Sequence, residues 1–226
     1  MALVRHMDSE HYILMADIIG SSRFEGKADE LMASFKKVVT SVNRAHEDRL
    51  LSPLTITLGD EFQGIPDSLA TAGLIVIALE EQRVLEGVSF RLRYVIHHGL
   101  VETPINEVLA HGMLGPGLTS ARRSLSTFGK KNKDRVRLSL AAGDPTRAIE
   151  DVFRILFTFI DDWKKKDMPV VAAWLEGLDT EEAARRLGRH RTSMGRRYGS
   201  LKLDAYAAAR RLLTHLTGGE SDTRVG

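Results

Sequence analysis

The sequence predicts an α/β protein: a mixed sheet with helices packed on it, followed by an all-helical segment. Three observations carry that expectation. Short apolar or alternating runs of strand length recur at Tyr12–Ala16, Leu54–Leu58, Phe90–Ile96 and Val136–Leu140. Between them, apolar residues fall three or four apart, the spacing of a half-buried helix. After Gly143-Asp144-Pro145 the strand signals stop and only helical patterns remain. The chain therefore divides into an α/β domain over 8–142 and a helical domain over 146–217.

Taken in order, Tyr12–Ala16 is a continuous apolar run, the mark of a strand buried on both faces. Leu31, Phe35, Val38, Val42 and Ala45 then share one helical stripe. Leu54–Leu58 and the residues up to Ile65 flank Gly59-Asp60, which reads as two short strands around a tight turn. Pro66 and Asp67 open an apolar helix that runs to about Leu85. Phe90, Leu92, Tyr94 and Ile96 alternate with Arg91, Arg93, Val95 and His97, a further strand. A glycine-containing loop, His111–Gly117, leads into a helix through about Thr127, and Val136–Leu140 is the last strand. The order β-α-β-β-α-β-α-β describes a mixed sheet with packed helices. Ile149–Trp163 is a strongly apolar helix, and Lys164, Lys165 and Lys166 near its end suit the helix dipole. Met1–Met7 reads as vector-derived or disordered, and 218–226 as a disordered tail.

Composition narrows the function classes. At 226 residues, 43% hydrophobic and 27% charged, the chain is an ordinary water-soluble one, expected in the cytoplasm. No run approaches the roughly 18–20 apolar residues that span a bilayer. There is no cysteine, which excludes disulfides, thiolate metal sites and cysteine nucleophiles. Net charge is only +2, yet nine Lys or Arg residues lie between Arg185 and Arg211 against one acid, Asp204. That excess suits a polyanionic partner.

Two acids stand out. Asp17 follows the first strand and Asp60 lies in the hairpin, and strand ends that pair side by side bring such carboxylates together. A carboxylate pair is a natural seat for Mg²⁺ or Mn²⁺, which leaves room for phosphates. The loop Ile18-Ile19-Gly20-Ser21-Ser22, ahead of a helix, offers backbone N–H groups to a triphosphate. Each piece also has a plainer explanation, since acids cap turns and Gly-Asp is a turn signal. His97 and His98 should face opposite sides of their strand. Lys130 and Lys131 suit either phosphates or a solvated loop, while Trp174 and Met194 read as core.

Together the motifs resemble a known family. Ala16-Asp17-Ile18-Ile19-Gly20-Ser21 is similar to the first metal motif of class III nucleotidyl cyclases. Leu58-Gly59-Asp60-Glu61-Phe62 resembles their second, and the Gly-Gly-Asp-Glu-Phe signature of diguanylate cyclases. Arg93-Tyr94-Val95-Ile96-His97-His98-Gly99 resembles the strand that runs into a glycine turn. Gly115-Pro116-Gly117-Leu118-Thr119-Ser120-Ala121-Arg122-Arg123 resembles the helix that supplies transition-state residues. With the tail described next, the whole chain looks most like the SatD family. The resemblance implies a ferredoxin-like, nucleotidyl-cyclase-type mixed sheet with packed helices. It also implies Asp17 and Asp60 as metal ligands, Arg123 as the arginine that steadies the transition state, and a purine nucleotide ligand. Two positions depart from the pattern. Thr119 stands where the enzymes carry asparagine, and Ile56 where adenylyl cyclases place a base-reading lysine. An apolar side chain cannot hydrogen-bond a purine edge.

Thr180–Tyr198, extending to about residue 201, fits a helix-turn-helix. Ala184 takes the position where only a small side chain fits between crossing helices. Gly188 sits at the turn and Met194 supplies the apolar anchor. Asp179 or Thr180 with Glu182 starts the first helix. The second presents His190, Arg191, Thr192, Ser193, Arg196 and Arg197, side chains suited to phosphates and base edges of duplex DNA. Gly195 and Gly199 each weaken that helix by roughly 1 kcal/mol relative to alanine, and a helical dimerisation tail is the alternative. The leading expectation is a nucleotide-responsive, DNA-binding, transcription-regulator-like protein with a degenerate sensor domain. An active Mg-dependent cyclase or related phosphoryl-transfer enzyme is the second reading, and a scaffold with vestigial sites the third. A homodimer is expected from the resemblance and from the apolar Ile149–Phe159 segment.

Overall fold

β1 (Ser9–Ile18) sits at the centre of the sheet because Ile13, Leu14, Met15 and Ala16 are fully buried, so both its faces need cover. The structure is a computed structural model that describes residues 9–21, 26–57, 59–128 and 134–219. β3 (Glu61–Pro66) and β4 (Leu92–Val101) flank β1, both antiparallel to it. β2 (Leu50–Ile56) pairs antiparallel with β3 at one edge, and β5 (Val136–Ser139) pairs parallel with β4 at the other. The result is one mixed five-stranded sheet, ordered β2-β3-β1-β4-β5.

Alternation sorts the two faces. Leu14, Ala16 and Ile18 point into the larger core beneath α1 (Ala28–Ala45) and α2 (Leu69–Leu85). Ile13 and Met15 point into a smaller core under α3 (Pro116–Ser126). α1 buries Leu31, Phe35, Val38 and Val42 of the stripe read from the sequence, while Ala45 at its last turn is exposed. α2 is capped by Ser68, whose hydroxyl accepts the Thr71 amide at 3.1 Å. α3 comes down onto β4 without a side chain between them. A Cβ on Gly117 would stand 2.8 Å from the Gly99 carbonyl carbon, so glycine is what lets this helix lie so close.

The remaining helices are α4 (Thr146–Asp162), α5 (Met168–Leu175), α6 (Thr180–Leu187), α7 (Arg191–Ser200) and α8 (Leu203–Leu216). α5 and α8 pack on the side of α2 away from the sheet, which is why α2 is apolar nearly all round. One apolar cluster therefore runs from Leu14 through Ile75 to Tyr206 and Met194. Tyr206 is fully buried among Phe159, Trp163 and Trp174, and its hydroxyl donates to Glu81 at 2.8 Å. Arg210 reaches the same carboxylate at 3.3 Å.

Beneath α4 lies a buried ionic network. Glu80 accepts from Tyr94 at 2.7 Å and from Arg83 at 2.5 Å, and pairs with Arg135. Burial alone would raise the Glu80 pKa, but Arg135 and Arg83 outweigh it and hold the carboxyl below its ordinary value. Arg135 continues to Asp161 on α4 at 2.6 Å. The apolar side of α4, Ile149, Val152, Phe153, Leu156 and Phe157, is buried against its own chain. The segment expected to serve dimerisation is thus internal core, with only Ile155 at 48% exposure facing outward.

Candidate functional site

The register of the sheet assembles the site. At the end of β1, Asp17 has Glu61 of β3 on one side and Arg93 of β4 on the other. All three project toward α3, the face that holds Met15 and Val95. Arg93 grips Asp17 as a fork, Nε donating to Oδ1 and Nη2 to Oδ2, both at 2.6 Å. Its Nη1 donates to the Phe128 carbonyl at 2.9 Å, just beyond α3. Glu61 pairs with Arg122 of α3 at 3.2 Å, and Arg122 also donates to Gln63 at 3.1 Å. The Asp60 carbonyl accepts the Ile18 amide at 2.9 Å, which brings the turn against the end of β1.

Burial raises the pKa of Asp17, and Asp60 adds to that rise, while Arg93 works against it. Glu61 is raised in the same way, by burial and by the charges of Asp17 and Asp60, with Arg122 opposing. Each carboxylate is therefore within electrostatic reach of the others. The two acids read from the sequence do come together, with Glu61 as a third.

Beside this cluster, α3 and the loop before it enclose a cavity of about 570 Å³ over Met15, Gln63, Met113 and Leu118. Thr119 and Arg123, one turn apart on the exposed side of α3, border it. The Thr119 hydroxyl donates to Gly115 O at 3.3 Å, so its proton is engaged within its own helix.

Two expected features lie elsewhere. The Ile18 amide is bonded to Asp60 O and the Ile19 amide to Arg91 O at 2.8 Å, so neither is open to a phosphate. The Ile18 side chain is core. Of that loop only Gly20 and Ser21 remain, since Ser22 lies outside the described residues, as do Leu58, Lys130 and Lys131. Ile56 pairs with Phe62 and packs on the α1 side, so its side chain is on the sheet face opposite Asp17. Thr55 and Thr57 take the site side there: Thr55 Oγ1 accepts the Ala110 amide, and Thr57 Oγ1 lies 3.5 Å from Glu61. The histidines divide as expected. His98 stacks obliquely on Tyr12 at 4.7 Å, while His97 faces the α3 side.

The Mg²⁺ expected on Asp17 and Asp60 does not fit these donors as they stand. Both Asp17 oxygens are committed to Arg93. Among the described residues no group of three His, Cys, Asp or Glu is placed to hold a metal ion. Nothing in the local sequence marks Arg93 or Arg122 as partners of these acids. A partner 76 positions away is found only from the strand register.

In the helical segment, Asp179 and Glu182 form a reciprocal capping box, and Gly188 closes α6 at φ 62. Ala183 and Ala184 are buried on α6, and Met194 is fully buried on α7. His190, Arg191, Thr192, Ser193 and Arg196 are exposed. Arg197 is not part of that face: its guanidinium pairs with Asp167 and donates to Ser200 at 3.2 Å.

Among the described residues no helix is long and apolar enough to cross a membrane. Solved structures with a similar chain course include a bacterial light-regulated adenylyl cyclase (14% identity, TM-score 0.43), where 58% of this chain aligns with 43% of that one. Another is the dimeric guanylyl cyclase domain of the RhoGC fusion protein from the aquatic fungus Blastocladiella emersonii (18% identity, TM-score 0.40), with 54% and 77% covered. A third is the guanylyl cyclase Cya2 (13% identity, TM-score 0.34), with 53% and 70% covered. This chain thus spans less than half of the light-regulated cyclase. No curated protein matches the sequence. The SatD family model matches residues 12–216, nearly the whole chain, and the protein belongs to the SatD family.

Proposed function

We propose that the protein is a nucleotide-responsive DNA-binding regulator. A nucleotide occupies the cleft beneath α3, and the exposed basic side of α7 meets duplex DNA. The observation that carries the nucleotide reading is the joining of the acid and arginine cluster to the α3 cavity on one sheet face. The cavity's volume is within the usual range for small-molecule sites, its floor is apolar, and Arg122 and Arg123 stand at its edge for phosphates. For DNA, the support is a short capped helix pair whose second member is anchored by Met194 and exposes Arg191 and Arg196. Exposed Val108 (80%), Leu109 (40%) and Leu114 (68%), in the loop before α3, support a homodimer joined near the cleft.

Calorimetry against a panel of purine nucleoside triphosphates should show binding that Arg123→Ala weakens at least several-fold. No binding across the panel sinks the sensor reading. A phosphoryl-transfer reading is favoured by Arg123, open at the cleft beside three acids. Against efficient cyclisation stand the engaged Thr119 hydroxyl and the placement of Ile56 on the other face. Turnover of ATP or GTP should stay well below about 1 s⁻¹, and cyclic product formed faster would decide for the enzyme.

A further inference from the structure

We propose that Arg93 is the resident cation of the acid site, and that its fork on Asp17 keeps free divalent ions out until the arginine is drawn away. The inference rests on the nucleotide reading for what would draw it away, but not for the exclusion itself.

The geometry is that of a built contact. Each of the three guanidinium nitrogens has a partner: Nε and Nη2 on the two Asp17 oxygens, Nη1 on the Phe128 carbonyl. The guanidinium also lies 5.8 Å from the centre of the Phe128 ring, whose face Arg137 shares at 4.4 Å. Arg93 is thus held from two sides, by a strand end and by the end of α3. A two-point fork fixes the carboxylate plane and engages both oxygens along the directions a metal would use. Mg²⁺ demands near-octahedral oxygen ligands at about 2.0–2.1 Å, and here it would have to share Asp17 with a guanidinium already bonded at 2.6 Å.

Charge leads to the same assignment. Asp17, Asp60 and Glu61 carry three negative charges when ionised, and Arg93 and Arg122 return two positive ones. With both arginines in place, little charge is left to attract a divalent ion. With Arg93 removed, the cluster falls two charges short of neutrality and matches one divalent ion. An incoming nucleotide phosphate is the natural competitor for Arg93, since guanidinium forks bind phosphate as readily as carboxylate. A phosphate that took Arg93 would leave the Asp17 carboxylate without its fork.

The test uses Mn²⁺ alone as probe, without nucleotide, on the full chain, with free Mn²⁺ followed by electron paramagnetic resonance. Arg93→Gln should bind Mn²⁺ at least tenfold more tightly than wild type. Adding Asp17→Asn should remove the gain. Wild type binding as tightly as Arg93→Gln overturns the proposal, as does a gain that survives Asp17→Asn. Should Arg93→Gln fail to fold by circular dichroism, wild type and Asp17→Asn still decide. Micromolar wild-type binding that Asp17→Asn abolishes overturns the exclusion, and weak binding indifferent to Asp17→Asn supports it. A separate nucleotide titration of wild type tests the nucleotide reading, and its failure leaves the Mn²⁺ result untouched.

Discussion

Arg196 and Arg197 are neighbours in sequence and part company in the structure. Arg196 is exposed, whereas Arg197 lies against Asp167, whose side chain is only 6% exposed. Burial works to raise the Asp167 pKa, but the Arg197 hydrogen bond, the Lys164 amide and the arginine's charge prevail and hold it below its ordinary value. A carboxylate depressed in the folded state adds stability that is complete above its unfolded value, near pH 4. That stability is lost as pH falls through the lower folded value. Arg197→Ala should therefore lower Tm by a few degrees at neutral pH, for a loss of about 1–2 kcal/mol. The deficit relative to wild type should shrink when melts are repeated below about pH 4. Arg191→Ala and Arg196→Ala should leave Tm unchanged, weaken DNA binding and reduce its salt slope by about one each. A Tm unaffected by Arg197→Ala would return that arginine to the set proposed to face DNA.

At the scale of elements, sequence periodicity located strands and helices well and their faces less well. The α1 stripe, the Asp179–Glu182 cap and the Met194 anchor are local properties, written within a few residues. β1 is longer than its apolar run because Ser9, Glu10 and His11 are polar and owe their strand conformation to β4. Which face Ile56 takes depends on the register shifts between Leu50 and Thr55 earlier in β2, and a one-residue change reverses it. Asp17 and Arg93 meet through register alone. α7 poses a different question, because Gly195 and Gly199 weaken it intrinsically. A Cβ added at either would meet nothing within 4 Å, and neither glycine has a positive φ. Gly199→Ala should thus stabilise the protein by about 0.5–1 kcal/mol, visible as a higher Tm. Gly195→Ala should do the same. A loss of stability from either would mean that the helix needs backbone freedom there.

For the whole molecule, what matters is that the proposed nucleotide cleft and the α7 surface belong to one packed structure. The loop after Asp17 is tied to Arg91, whose carbonyl accepts the Ile19 amide at 2.8 Å. The Arg91 side chain pairs with Asp161 near the end of α4 at 3.0 Å, and Arg135, just before β5, joins the same carboxylate. Two residues on, Trp163 donates to Leu201 O at 3.3 Å, at the end of α7. A ligand that moves the end of β1 therefore acts on a short run of bonded groups that ends at α7, the helix proposed to face DNA. Coupling of this kind is typically about 1–3 kcal/mol, a change of roughly 5- to 150-fold, and linkage makes it reciprocal. DNA affinity at fixed salt should differ by at least fivefold with and without saturating nucleotide. Nucleotide affinity should shift by the same factor when DNA is bound. Arg91→Ala, which removes an exposed ion pair without touching cleft or α7, should reduce that factor while leaving each separate affinity within about twofold. Full coupling in Arg91→Ala would mean that the signal runs instead through α2 to Tyr206. No coupling in wild type would leave two sites that share a core and nothing more.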